Sequence, residues 1–364
     1  MMYPVARENT FPVPPLTWLY LYMTDGCNLR CAHCWLSPRY VPETTRHGGL
    51  TADDVERLIR EGDPLGVASV KLTGGEPLMN ADFFPIVEVL AARKMRITLE
   101  TNGVLVDEDA ASFLSAHRVD HVSVSIDSHR ASFHDRFRGM SGALDRSIQG
   151  IRHLIAHKIP VQIIMSLTRE NAKDIEGVVR LARDLKAASV KINPVMPIGR
   201  GDDMIRENKN LPVARLLGLD RWLETDIRGR YSMNVIMTLP SALKSIQSFF
   251  SGSRSECAVL NILGILANGD VSICGIGTVI PDMVMGNIHT HRMEDIWRSS
   301  PVLMNLREIV PDGMEGVCGR CLLRRSCLGS CRANEFVLSG SLAAPYWMCR
   351  EAYEQGIFPP SRLL

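Results

Sequence analysis

No stretch of the 364 residues approaches the roughly 18–20 consecutive apolar positions of a membrane helix, so a helical membrane span is excluded. An excess of one charge sign is also missing. The 41 basic side chains stand against 40 acidic ones, a formal +1, and no electrostatic argument favours nucleic acid or an anionic membrane as partner. The first 18 residues include Arg7, Glu8 and four prolines and lack a continuous apolar core, which excludes a secretory signal and leads us to expect a cytoplasmic protein. We find no internal repeat and no low-complexity tract. The hydrophobic fraction of 46% excludes long disorder, and the length suits one large domain or two smaller ones.

Cysteine, by contrast, is plentiful. Ten are present: Cys27, Cys31 and Cys34, then, after more than 200 residues, Cys257, Cys274, Cys318, Cys321, Cys327, Cys331 and Cys349. An even count permits five disulfides, but a reducing cytosol and a chain able to build its own core argue against them. Thiols three or four positions apart surround a metal centre better than they pair across a fold.

Between residues 17 and 195, β-rich apolar runs (17–24, 67–73, 96–100, 121–126, 161–167 and 189–195) alternate with helical patterns at 51–62, 82–94, 107–117, 141–158 and 172–187. Several runs are nearly continuous in apolar residues, as expected of strands covered on both faces. This alternation predicts parallel βαβ units, hence an α/β fold with a partial (β/α)6 barrel. After Pro197 the pattern breaks into a polar loop (199–203 and 207–210), helical stretches at 212–227 and 240–250, and a loop at 251–255. From Cys257 onward we expect short strands and cysteine-rich loops, a helix at Met293–Ser299 and a last one near 350. The expected organisation is an N-terminal extension (1–16), a barrel (17–200), a bridging helical segment (201–256) and a cysteine-rich domain with its tail (257–364).

Cys27-x3-Cys31-x2-Cys34 follows the first strand, on a loop at the barrel's carboxyl end where active sites assemble. Three thiolates at this spacing each hold one iron of a cubane and leave the fourth iron open, as a catalytic centre requires. Zinc bound with His33 or His47 is the alternative. With Gly74-Gly75-Glu76-Pro77 after the second strand, the pattern resembles the radical S-adenosylmethionine (SAM) superfamily. The resemblance implies that the open iron is chelated by the amino and carboxylate groups of SAM. It also implies that Gly74, Gly75, Glu76 and Pro77 hold the amino group. Glycines permit close backbone approach, and a carboxylate accepts bonds from an ammonium. The family uses the later strand ends for ribose, adenine and carboxylate contacts. Asn102 after the third strand, and Ser125 and Asp127 at the end of the fourth, are the candidates, the last two on the ribose side. His33 stands where many relatives carry an aromatic residue against the adenine.

The second group, Cys257-x11-Gly269-x4-Cys274, then Cys318-x2-Cys321-x5-Cys327-x3-Cys331 and Cys349, resembles the SPASM extension of radical SAM enzymes. That resemblance implies two auxiliary [4Fe-4S] clusters, three clusters in all with the first. Cys318, Cys321, Cys327 and Cys349 would close one. Cys257, Cys274 and Cys331 would supply only three ligands to the other, leaving an open iron, a non-cysteine ligand or a substrate-ligated site. A zinc ribbon on Cys318, Cys321, Cys327 and Cys331 is the competing reading.

By the same resemblance, the reduced first cluster cleaves SAM to methionine and a 5′-deoxyadenosyl radical, which abstracts hydrogen from a substrate at the barrel mouth. The leading expectation is an oxidoreductase that cross-links or oxidises a ribosomally made peptide. Its partners would be that peptide, an electron donor such as flavodoxin or ferredoxin, and, because only 26 residues precede Cys27, a separate leader-recognition protein unless binding is leader-independent. Formylglycine formation in sulfatases ranks lower, because those relatives carry an acid directly after the residue matching Cys274. Here Gly275 stands there, with Asp270 the nearest acid. A small-molecule or tetrapyrrole-pathway enzyme remains open. A non-enzymatic iron–sulfur electron carrier is disfavoured by the three-cysteine motif, since carriers close their clusters with four ligands. No catalytic residue beyond the cluster is assigned. His117, His121, His134, His153 and His157 are expected in surface or capping roles, and the segment His134–Gly139 as a solvated loop, although Arg138 there could meet a carboxylate of SAM or substrate.

Overall fold

Each parallel strand sends one row of apolar side chains outward beneath the helices and a second row toward the barrel axis. The computed structural model describes residues 13–247 and 257–364. Its strands are β1 (Trp18–Tyr22), β2 (Gly26–Cys27), β3 (Arg39–Tyr40), β4 (Ser69–Thr73), β5 (Arg96–Thr101), β6 (His121–Ser125), β7 (Val161–Leu167), β8 (Ser189–Pro194), β9 (Asn234–Met237), β10 (Ile262–Ile265), β11 (Asp270–Ser272) and β12 (Val284–Asn287). Ten of them form one sheet in the order β12-β11-β10-β1-β4-β5-β6-β7-β8-β9, while β2 and β3 make a separate short pair. Pairing is parallel from β10 through β1 to β9 and antiparallel across β10, β11 and β12. The fold is a partial α/β barrel joined to a C-terminal cysteine-rich domain. That domain lends strand β10 to the free side of β1, with Trp18 opposite Ile262.

Helices Ala52–Gly62, Phe83–Ala92, Glu108–Ala116, Ala143–Ala156 and Ile175–Asp184 fall where the periodicity places them. The first shows why. Thr51 accepts from the amide of Asp54, whose carboxylate bonds back to Thr51, a capping box that fixes the start. Val55, Leu58 and Ile59 then bury one face against the sheet.

The two faces of the strands are unlike, contrary to the expectation from their apolar character. Val70 and Leu72 of β4, Ile97 and Leu99 of β5, Val122 and Val124 of β6, and Val190 and Ile192 of β8 lie in the helix-side core. The alternate positions, Lys71, Thr98, Glu100, Ser123, Ser125 and Lys191, point toward the axis. A packed barrel fills this space with branched apolar residues; here the lumen is polar.

Two segments read as loops are helical. Arg200–Arg206 starts with Asp202 and Asp203 and ends on Arg206, charges that suit the helix dipole, and Asp202 pairs with Arg206 at 2.5 Å. Ala131–Arg138 forms because Phe133 and Phe137, one turn apart, stack at 5.2 Å between centroids and bury together, ending at Gly139 in left-handed conformation. The stretch 212–227 is a helix over Val213–Trp222 that widens into a π-turn at Leu223–Ile227. β9 then follows and joins the sheet beside β8. Within 240–250 the described residues hold a short 3-10 turn, Ser241–Leu243, and α-helix at 246–247, while residues 248–250, with the loop at 251–255, lie outside the described residues. The expected helices at Met293–Ser299 and near 350, the latter Trp347–Glu354, are present, and Pro301–Ile309 and Arg332–Ser339 are helical where loops were expected. No helix among the described residues is long and apolar enough to cross a membrane.

Arg332, fully buried, fastens this region by donating to the carbonyls of Gly329, Leu342 and Ala344. Arg332→Met strands three carbonyls, so we expect a loss on the order of 3 kcal/mol in denaturant unfolding. Asp220 offers a second test. Burial raises its pKa to about 6, and its Oδ1 has no partner among the described residues. Stability from this group is present below about pH 4 and lost as pH rises through about 6. Asp220→Asn should therefore flatten that decline when melting temperature is followed from pH 4 to 7.

Candidate functional site

The chain leaves β1 at Tyr22 and turns directly into the first cysteine loop. Two backbone bonds tie this loop to the glycine turn after β4: the Gly75 amide donates to Thr24 O and the Glu76 amide to Gly26 O, both at 2.9 Å. Gly74 has φ +129°, in the region that favours glycine. A Cβ on Gly75 would lie 1.9 Å from the Gly26 carbonyl oxygen, so any side chain there would drive the loops apart. The pairing of Gly26–Cys27 with Arg39–Tyr40 closes the cysteine loop from its other end.

Behind this junction lies a cavity of about 250 Å³ that gathers Cys27, Cys31, Cys34, Gly74, Gly75 and Glu76 with His33, Glu100, Asn102, Ser125 and Arg138. Glu76 accepts from Thr101 Oγ1 at 2.7 Å, from the Asn102 amide at 2.9 Å and from the Leu78 amide at 3.3 Å. Burial nevertheless lifts its pKa to about 7. Its carboxylate thus straps the glycine turn to the end of β5, and Pro77 is buried behind it as the first residue of a 3-10 turn. Asn102 donates to Asn28 Oδ1 at 2.8 Å, which fixes the cysteine loop from below. Burial raises the thiol pKa of Cys27, helped by the Glu76 carboxylate, and that of Cys31, against the pull of Arg138.

His33 stacks on Phe137 with centroids 4.4 Å apart and planes within 7°, and burial lowers its pKa to about 3, a neutral ring on the cavity wall. Asp127 is placed differently from a ligand contact. Its Oδ2 accepts from Arg138 Nε at 2.5 Å and its Oδ1 from the Ser166 amide at 2.8 Å, and it is fully buried. Burial opposes ionisation, yet Arg138 holds the Asp127 pKa below the usual carboxylate range. Arg138 is therefore no solvated loop residue: it is buried, and its Nη1 lies 3.7 Å from Cys31 Sγ. His134 is buried too, its Nδ1 accepting from the Asp127 amide at 3.2 Å, so it caps an interior turn rather than the surface. His153 and His157 bond Glu108 on the surface, and His117 bonds the Phe113 carbonyl.

Among the described residues, His33 Nδ1, Asn28 Nδ2, and Nε and Nη2 of Arg200 are buried without a partner. Three sulfurs, an open wall and unpaired donors together fit an iron–sulfur cluster and an anionic chelating ligand.

The remaining cysteines form two groups. Cys318, Cys321, Cys327 and Cys349 converge on one small cavity. Cys349 hydrogen-bonds Cys318, which lowers the Cys318 pKa and raises that of Cys349. Amides of Tyr346 and Leu323 donate to Cys318 and Cys321 at 3.4 Å. Cys331 lies near enough to raise the pKa of both Cys257 and Cys274, Cys257 also acts on Cys274, and burial pushes Cys257 up to about 12. A Cβ on Gly264 would meet the Cys274 Cα at 2.6 Å, so β10 must carry glycine where it faces this group. At Gly275 a Cβ would meet the Tyr22 ring at 2.4 Å, leaving no room for an acid after Cys274. Asp270 is engaged by Asn268 and Asn287.

The lumen between the two centres was not read from the sequence. Lys71 pairs with Glu100 at 2.9 Å and sits 4.4 Å over the Tyr20 ring. Glu100 lines the first cavity, while Tyr20, Lys71 and Lys191 act electrostatically on or with Cys257. The available signal was charge at the inward phase of β4, β5 and β8.

Residues 21–182 match the Radical SAM superfamily and residues 257–322 an iron–sulfur cluster-binding domain named SPASM. The chain is 30% identical over 332 residues to the AdoMet-dependent heme synthase of Methanosarcina barkeri, covering 87% of this chain and 91% of that one. It is 28% identical to the mycofactocin maturase MftC of Mycobacterium ulcerans, over 93% and 88%. Its fold is similar to that of Streptococcus suis SuiB bound to precursor peptide SuiA, with TM-score 0.75 and 19% identity over 94% of this chain and 77% of that one.

Gly75→Ala, by pushing on the Gly26 carbonyl, should abolish binding of SAM in equilibrium dialysis while far-ultraviolet circular dichroism stays unchanged.

Proposed function

The chain belongs to the radical SAM superfamily and carries its SPASM iron–sulfur domain, and from this we propose that it is an oxidase of a ribosomally made peptide. The carrying observation is the continuity of the interior. Glu100, on the wall of the Cys27/Cys31/Cys34 cavity, leads through Lys71 and Tyr20 to Cys257 and Cys274. A substrate beside these groups would have hydrogen abstraction at one end and an electron acceptor at the other. A second cavity of about 640 Å³ shares Leu36, Pro38, Gly74 and Gly75 with the first. It opens past exposed Asp25, Ser37 and Arg39, an entry suited to an extended chain.

In this reading Cys27, Cys31 and Cys34 hold the SAM cluster, Cys318, Cys321, Cys327 and Cys349 a closed auxiliary cluster, and Cys257, Cys274 and Cys331 an open one. When bound, the first cluster and SAM supply hydrogen abstraction by a 5′-deoxyadenosyl radical. The protein's part is placement. Gly74 and Gly75 bring backbone to the ligand's amino group, Glu76 fixes that turn to β5, and the unpaired guanidinium of Arg200 suits a carboxylate. Ser125 offers a hydroxyl on the ribose side, and the His33–Phe137 stack a flat apolar wall. Arg138 donates to Cys31 and, held by Asp127, keeps a positive charge beside the thiolates. The packed position of Gly275 supports ranking the sulfatase reading lower.

The identity to the haem synthase over most of both chains favours a second reading, oxidation of a tetrapyrrole, for which the open cavity also has room. Anaerobically reconstituted protein with dithionite should convert SAM to 5′-deoxyadenosine, and Cys27→Ala should not. Mass spectrometry then separates the readings. A mass loss in a co-expressed candidate peptide supports the first; haem formed from Fe-coproporphyrin III, with peptides untouched, replaces it with the second. Electron paramagnetic resonance of the Cys27/Cys31/Cys34→Ala variant should show two unlike auxiliary clusters; two identical, fully thiolate-ligated ones would overturn the open assignment.

A further inference from the structure

Lys191 is an interior cation with no counter-charge paired to it among the described residues. It lies in β8, at an inward position opposite Ile164 of β7 and Ile236 of β9, one inward position below Asn193 on the wall of the 250 Å³ cavity. Among the described residues its ammonium has neither a hydrogen bond nor an ion pair, and its side chain is half-buried in the lumen. The carboxylate of the lumen, Glu100, is already committed at 2.9 Å to Lys71 and accepts from Thr73 Oγ1 at 3.3 Å. Two ammonium groups thus face one carboxylate. Burial, and the repulsion of Lys71, hold the Lys191 pKa below the ordinary lysine range. A charge in such a half-enclosed place is only partly hydrated, and a bound anion compensates it directly.

Its neighbours define where that anion would sit. Glu100, which feels Lys191, lines the Cys27/Cys31/Cys34 cavity; Cys257, which also feels it, belongs to the other centre. Ser123, Ser125, Ser166 and Asn193 add neutral hydrogen-bonding groups around the same lumen. Nothing apolar of ring size faces the ammonium from β7 or β9, where the register partners are isoleucines.

We propose that Lys191 anchors a carboxylate of the substrate within the lumen, between the Cys27/Cys31/Cys34 cavity and the Cys257/Cys274/Cys331 group. This deepens the oxidase reading and rests on it for the word substrate, but the anion site itself does not require turnover. The ligand chemistry is a carboxylate on a flexible arm: an acidic side chain, a peptide C-terminus or a carboxyalkyl group of a small molecule. Lys71 stays with Glu100 and supplies the second positive charge that makes the site anion-selective.

The test is competitive acylation of the reconstituted holoenzyme with trace acetic anhydride, read lysine by lysine by mass spectrometry. The exposed Lys94 and Lys158 serve as internal references. Glutarate, N-acetylglutamate methylamide and an N-acetylated dipeptide with a free C-terminus are the carboxylate probes, and glutaramide is the neutral control. We expect carboxylates to slow acylation of Lys191 selectively, about threefold at twice the dissociation constant of the best probe. Glutaramide should have no effect, and the best protector shows which carboxylate source fits. Equal protection by glutaramide, or none by any carboxylate, overturns the proposal. The Lys191→Met variant gives a second readout. If it shifts the potential of the auxiliary clusters and carboxylates protect no lumen lysine in the parent protein, the charge serves the cluster and the proposal falls. If acylation shows protection but no 5′-deoxyadenosine forms from SAM, the oxidase reading fails while the anion site stands.

Discussion

Two loops share one point of contact, and the geometry of the site depends on it. The Gly26 carbonyl accepts the Glu76 amide, and at Gly75 the loops come closer than any Cβ permits. Because the cysteine loop and the glycine turn leave adjacent parallel strands, β1 and β4, this contact converts strand register into sulfur position. Glu76 carries the constraint one strand further, to Thr101 and Asn102, and Asn102 returns it to Asn28 inside the cysteine loop. The circuit closes on itself. Preorganisation of this kind is what a site needs when its ligand must be held within a fraction of an ångström.

The lumen follows a different logic. Barrels of parallel strands are ordinarily filled by branched apolar side chains, and a charge in such a place must be paired or hydrated. Here the inward row mixes lysine, glutamate, serine, threonine and asparagine with Tyr20, Ile164 and Ile236, and the Lys71–Glu100 pair is only partly water-accessible. Such an interior contributes less to stability than a packed one. It lies between two groups of cysteines that the chain brings together from opposite ends of its length.

Much of this was legible before folding was considered. Cysteine spacing and the Gly-Gly-Glu turn are local, so their meaning survives without a structure, and the sheet–helix alternation followed from two periodicities. The misreadings have physical causes. The segment His134–Gly139 reads as a loop because polar residues dominate its composition, while in helix Ala131–Arg138 two phenylalanines one turn apart decide its burial. Asp127 looked like a ligand contact because nothing in sequence announces a buried partner eleven residues later. Lys71 and Lys191 were passed over because a single lysine in an apolar strand reads as solvent-facing unless the barrel's inside is known to be wet. β9 was hidden in a segment whose neighbours are helical.

The pairing of β1 with β10 has a temporal side. Thr17 bonds Asn261, 244 residues further along the chain, so the outer edge of the first strand has no partner until the last third has been made. During synthesis the barrel half can assemble from β1 through β8 by local crossovers, which form early because their loops are short. The lumen then stands open on one flank, with the first cysteine loop already shaped and the second set of thiols not yet delivered. Arrival of β10 is a late, long-range closure. It gives the nascent chain an interval in which one metal centre can be installed without competition from seven other thiols.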